Sequence, residues 1–123
     1  MKQKNNESKL QQSCVKWFRL QYPKEVLYAI PNGGKRDVVT ASILKAEGTL
    51  AGVADLFLMS NFDNPAKGLY IEMKIKGGVQ SEYQKQFEID CINRGYGYAI
   101  AKSFEEFVAI VRDFLSEART GHG

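Results

Sequence analysis

Residues 68–78, GLYIEMKIKGG, alternate apolar and polar side chains. In an extended chain Leu69, Ile71, Met73 and Ile75 fall on one face, and Tyr70, Glu72 and Lys74 on the other. The segment reads as a strand with one face in a core, closed by the glycine pair. An acid and a base two residues apart on the second face fit either a salt-bridged edge strand or a site, and the surrounding sequence bears on which.

The preceding strand candidate, VADLFLM (53–59), is joined to it by SNFDNPAK (60–67), whose Asn, Asp and Pro suit a hairpin and hence antiparallel pairing. Downstream, residues 81–94 carry Tyr83, Phe87, Ile89, Cys91 and Ile92 in a mixed helical pattern that stops at Gly95. YGYAIA (96–101) is a further strand, so the passage from 69 to 101 implies a right-handed parallel crossover. Upstream, Leu10, Cys14, Trp17 and Phe18 recur at helical spacing over residues 7–21, with Pro23 at the exit. EVLYAI (25–30) is a short strand ended by PNGG, and residues 37–47 form a second helix closed by Gly48. Ser103 and Glu106 form a capping box for the last helix, whose stripe is Phe104, Phe107, Val108, Val111, Phe114 and Leu115. The order α-β-α-β-β-α-β-α predicts an α/β fold, a mixed four-stranded sheet flanked by helices. A single domain is expected over residues 7–118, with flexible ends at 1–6 and 119–123.

A chain that is 44% hydrophobic and 25% charged suits a globular core, and a net charge of +3 permits a polyanionic partner without requiring one. The sole histidine, His122, lies in the terminal ARTGHG, which argues against a histidine base or ligand. Cys14 and Cys91 sit among apolar residues without CxxC spacing and read as reduced, buried thiols. No apolar run approaches the roughly 18 residues of a membrane span, and MKQKNNESK lacks the apolar centre of a signal peptide. A cytoplasmic protein without membrane contact is expected.

Asp55 interrupts the apolar run GVADLFLMS, where an unpaired carboxylate costs most. The hairpin can bring it near Glu72, and two close carboxylates repel unless one is protonated or a cation lies between them. Mg2+ or Mn2+ fits, held by two carboxylates, a backbone carbonyl and waters. Lys74 lies about 6.6 Å along the same face, placed to steer or deprotonate a water or to stabilise charge on a phosphate. Four further features have two readings each. Glu7 either complements the dipole of the first helix or shares its inward face with Leu10, Cys14 and Phe18. Gln84 fits the capping box Ser81-x-x-Gln84 or, by the resemblance given below, points to the site. PNGGKRD is a Gly-rich turn or a phosphate grip through Asn32, Gly33, Gly34, Lys35 and Arg36; it lacks P-loop spacing. Lys76 is a solvated charge or a contact to a polyanionic partner.

In order, Asp55, then Glu72-Met73-Lys74 on the next strand, then Gln84 on a helix resembles the PD-(D/E)xK nuclease signature. Together with Glu7 followed by LQ, AIPNGGKRD, LKAEGTLAGVADLFL, LYIEMKIKGGVQSEYQKQ and RGYGYAIAKSFEEF, residues 7–115 are similar to the virus-type replication-repair nuclease domain, VRR-NUC. That resemblance implies a restriction-endonuclease-like core and Mg2+- or Mn2+-dependent hydrolysis of DNA. Asp55 and Glu72 would be metal ligands with Glu7 and the Met73 carbonyl, Lys74 the base or stabiliser, and Gln84 the orienting residue. Stand-alone phage and bacterial members resemble Holliday-junction resolvases and tend to be homodimers. The resemblance thus implies branched DNA, a repair role and a dimer, and the apolar Val38, Val39, Ala41 and Ile43 of the second helix are candidates for the dimer contact. Ala54 stands where the superfamily signature has proline. The competing reading is a catalytically silent DNA-binding module of the same fold, and RNA is the alternative substrate.

Overall fold

The alternation around Glu72 is realised in the centre of a sheet. The computed structural model describes residues 2–31, 38–61 and 64–120. Its elements are α1 (Lys2–Gln21), β1 (Leu27–Ala29), α2 (Val38–Ala46), β2 (Leu56–Met59), β3 (Gly68–Met73), α3 (Glu82–Asn93), β4 (Gly97–Ala101) and α4 (Phe104–Thr120), in the expected order. The strands lie β1-β2-β3-β4, with β1/β2 and β2/β3 antiparallel and β3/β4 parallel. β3 therefore has a neighbour on each side, which removes the edge-strand reading of its charged face.

The inward residues Leu27, Leu56, Leu58, Leu69, Ile71, Met73 and Ala101 form one core face. Cys14 and Phe18 of α1 and Phe107, Val111, Phe114 and Leu115 of α4 close it. Trp17 meets Phe104 and Phe107 edge-on, with ring centroids 6.1 and 6.2 Å apart, and locks the two helices together. On the other face the register aligns Tyr28, Phe57, Tyr70 and Tyr98 across all four strands. Phe87 of α3 packs there, 5.0 Å from Tyr70. In the hairpin connection Asn64 Oδ1 accepts from Ala66 N at 2.8 Å, and its Nδ2 donates to the Phe114 carbonyl at 2.9 Å, tying the loop to α4.

Four elements depart from the sequence reading. α1 starts at Lys2 rather than residue 7, and α4 runs to Thr120. β2 begins at Leu56 rather than residue 53, because the Met73 amide that would extend the ladder bonds the Asp55 side chain instead. α3 is amphipathic only weakly: Tyr83, Ile89 and Ile92 are exposed and only Cys91 is buried. The turn residues Asn32, Gly33, Gly34, Lys35 and Arg36, the expected helix start at 37, and His122 lie outside the described residues.

Candidate active site

Asp55 sits immediately before β2, held by its main chain, whose carbonyl accepts from Ile30 N at 2.8 Å. The pairing Leu56↔Ile71 sets it beside Glu72, and its Oδ2 accepts from Met73 N at 2.7 Å. Glu72 is only 3% exposed. Its Oε2 accepts from Gln84 Nε2 at 2.9 Å and faces Lys74 Nζ at 4.0 Å. Its Oε1 is buried and finds no hydrogen-bond partner among the described residues. A buried acceptor left so costs about 1–3 kcal/mol, more than a fold keeps without compensation.

The electrostatics follow from this burial. Desolvation, then the neighbouring Asp55 charge, push the Glu72 carboxyl up to about 8; Lys74 opposes the shift, while a hydrogen bond with Asp55 and the charge of Glu7 add to it. Asp55 is also raised, by burial, against the pull of the Met73 N–H, Glu72 and Lys74. The closeness of the two carboxyls favours one shared proton over two negative charges. Without a cation the pair retains a proton near neutral pH.

Gln84 performs both jobs considered for it at once, because an amide has two ends. Its Oε1 accepts from Ser81 N at 2.8 Å, its own N–H donates to Ser81 Oγ at 3.1 Å, and its Nε2 is left for Glu72. The cap of α3 thereby orients the buried acid.

Of the other expected site residues, Met73 contributes its main chain: its side chain is in the core, yet the residue borders the cleft. Glu7 borders the same cleft and its charge is felt at Glu72. Among the described residues no group of three His, Cys, Asp or Glu side chains stands close enough together to hold a metal ion. Lys76 is exposed in the turn after β3 and does not border the cleft. Cys14 and Cys91 are free and buried, and burial pushes each up to about 11, away from thiolate chemistry.

The cleft measures about 1430 Å³ and lies between α1, the 49–53 loop, the carboxylate pair and the first turn of α3. Sequence reasoning missed several of its residues. Lys16 and Arg19 come from α1, Lys45 from the last turn of α2, and Tyr28 and Tyr83 from β1 and α3. Their only signal was the i,i+3 spacing of the two α1 cations. Gly52 was also missed. With φ +92° it presses the loop on α3, and a Cβ there would fall on the Tyr83 carbonyl and 2.9 Å from Gln84 N.

A mixed sheet with two carboxylates and a lysine where its central strands end, and an orienting glutamine on the next helix, is the arrangement of the PD-(D/E)xK nuclease-type fold. The VRR-NUC domain profile matches residues 1–105, and the chain belongs to the VRR-NUC family, a nuclease-type DNA-processing domain. A solved structure described as "VRR_NUC domain protein" superposes with a TM-score of 0.74 at 21% identity, covering 89% of this chain and 88% of that one, a likeness of fold. No curated protein matches. No helix among the described residues is long and apolar enough to cross a membrane.

Proposed function

We propose that this chain is a Mg2+- or Mn2+-dependent deoxyribonuclease that hydrolyses phosphodiester bonds, acting on branched DNA. The observation that carries the reading is Glu72 Oε1, buried beside Asp55 with no hydrogen-bond partner among the described residues. A hard divalent ion answers that orphaned oxygen and the repulsion of the pair together. Such an ion, when bound, lowers the pKa of water and offsets charge on the phosphate.

The chain's own residues divide the remaining work. Gln84 occupies Glu72 Oε2 and leaves Oε1 with lone pairs to give; the Met73 N–H occupies Asp55 Oδ2 and leaves Oδ1. A strand residue presents its N–H and C=O to the same side, so the Met73 carbonyl is a third oxygen on the Asp55 side. Lys74, 4.0 Å from Glu72, brings a positive charge to the phosphate and a site at Nζ for proton transfer. Asp55, Glu72 and Lys74 are thus the catalytic set, with Gln84 as the positioning residue. A homodimer through α2 is supported by the exposure of Val38, Val39 and Ile43 on a helix with no buried residue.

Incubation with linear, flapped and four-way DNA in Mg2+, Mn2+ or EDTA tests the reading. Cutting of branched DNA that needs the ion and disappears in Glu72→Gln and Lys74→Met is expected. Binding without cutting under every metal would establish a silent module instead, and RNA versions of the substrates report on the alternative polymer.

A further inference from the structure

We propose that the cleft is a groove for unpaired nucleotides, in which the rings of Tyr28 and Tyr83 stack on bases to either side of the carboxylate pair. The substrate on this view is DNA with a single-stranded stretch at the cutting point; the inference rests on the nuclease reading above and specifies its substrate.

The two rings are among the exposed large side chains of the protein, Tyr83 at 69% and Tyr28 at 47%. Both border the cleft that holds Asp55 and Glu72. Sheet order separates them: Tyr28 belongs to β1, at one edge, and Tyr83 to the first turn of α3, which Gln84 joins to β3. Asp55, just before β2, and Glu72, on β3, come between. The ring of Tyr28 leans on Phe57 with centroids 5.7 Å apart, which lowers the freedom it loses on stacking. The Tyr83 ring is open to solvent, and its main chain is anchored between the Ser81 cap and the Gly52 loop.

Charge identifies the occupant. Lys16 and Arg19 form one face of α1 along the cleft, and Lys45 adds a third cation from α2. Among the described residues Lys16 and Lys45 have no acidic partner, and the guanidinium of Arg19 reaches only the Leu27 carbonyl, at 3.4 Å. Aromatic faces beside a row of cations suit a polyanion with flat hydrophobic groups, the chemistry of a single strand. A duplex hides its base faces within its own stack, so the tyrosines gain from a nucleotide only where it is unpaired.

The test uses the full chain in EDTA with two probes of equal length, a single-stranded oligonucleotide carrying 2-aminopurine and its duplex. Anisotropy gives affinity, and 2-aminopurine quenching reports stacking. Tyr83→Ala and Tyr28→Ala are each expected to weaken single-strand binding about tenfold, abolish part of the quenching, and leave duplex affinity within about twofold; Tyr83→Phe keeps wild-type behaviour. Unchanged single-strand affinity in the Ala variants, or equal loss on both probes, overturns the stacking role while metal-dependent cutting by the wild type still stands. Failure of the wild type to bind the single strand more tightly than the duplex also overturns the groove, whereas the nuclease reading stands or falls separately, on metal-dependent cutting of branched DNA.

Discussion

Replacing Glu72 by Gln should stabilise the metal-free protein at pH 8 and abolish its response to divalent ions. Burial and the Asp55 charge push this carboxyl from its ordinary 4.5 to about 8. Between those values the folded chain holds a proton that the unfolded chain has lost. Stability therefore falls as pH rises through that window and levels off above it. At about 1.4 kcal/mol per unit the shift bounds the loss near 5 kcal/mol. Asp55 shares the proton, so roughly 2–4 kcal/mol is the loss expected between pH 5 and 8. Gln has no such proton to lose, and its side-chain oxygen still accepts from Gln84. Urea melts of both proteins in EDTA at pH 5.5, 7 and 8 measure the difference. With Mn2+ at about 100 times its Kd, the wild type should gain about 2.7 kcal/mol and the variant nothing. A wild type equally stable at pH 5.5 and 8, or a variant weaker than wild type at pH 8 without metal, would refute the buried-pair argument.

Other outcomes follow from single contacts. Gly52→Ala puts a Cβ on the backbone of α3 at a positive φ; it should cost about 2–4 kcal/mol in urea melts and displace Gln84, seen as slower cutting by the folded fraction. Gln84→Glu keeps an oxygen for the Ser81 amide but removes the donor to Glu72 and sets a third carboxylate against it, so lost cleavage should accompany a loss of about 1–3 kcal/mol in urea melts at pH 8. Lys74→Met retains the aliphatic stem without the charge: cutting should fall about 10²–10⁴-fold, while stabilisation by Mn2+ persists. Chelation of the wild type at pH 8 should halt cleavage and lower its melting temperature, and restored Mg2+ should reverse both.

Much of this arrangement was legible in sequence because it is carried by local rules. Period-two alternation marks β3, helical spacing marks α1 and α4, and a lone acid in an apolar run marks Asp55 as needing a partner. The double use of Gln84 was not legible. The capping box spans three residues, but the bond to Glu72 crosses twelve and depends on how α3 returns to the sheet. Gly52 resembled an ordinary loop glycine for the same reason, its close neighbours being Tyr83 and Gln84. Glu7 borders the cleft and its charge acts on Glu72, but helical periodicity specifies direction and not distance, so how near it comes was not legible.

Sequence alone determined the order of elements, the core stripes of α1, β3 and α4 and the acid–acid–lysine set, since side-chain alternation and burial cost act within or between adjacent segments. Tertiary structure decided that β3 is central, that one oxygen of Glu72 is buried with no partner among the described residues, and that two tyrosines and the cations Lys16, Arg19 and Lys45 share its cleft. Those facts arise from packing between residues distant along the chain, where desolvation and Coulomb forces depend on positions that no local pattern encodes.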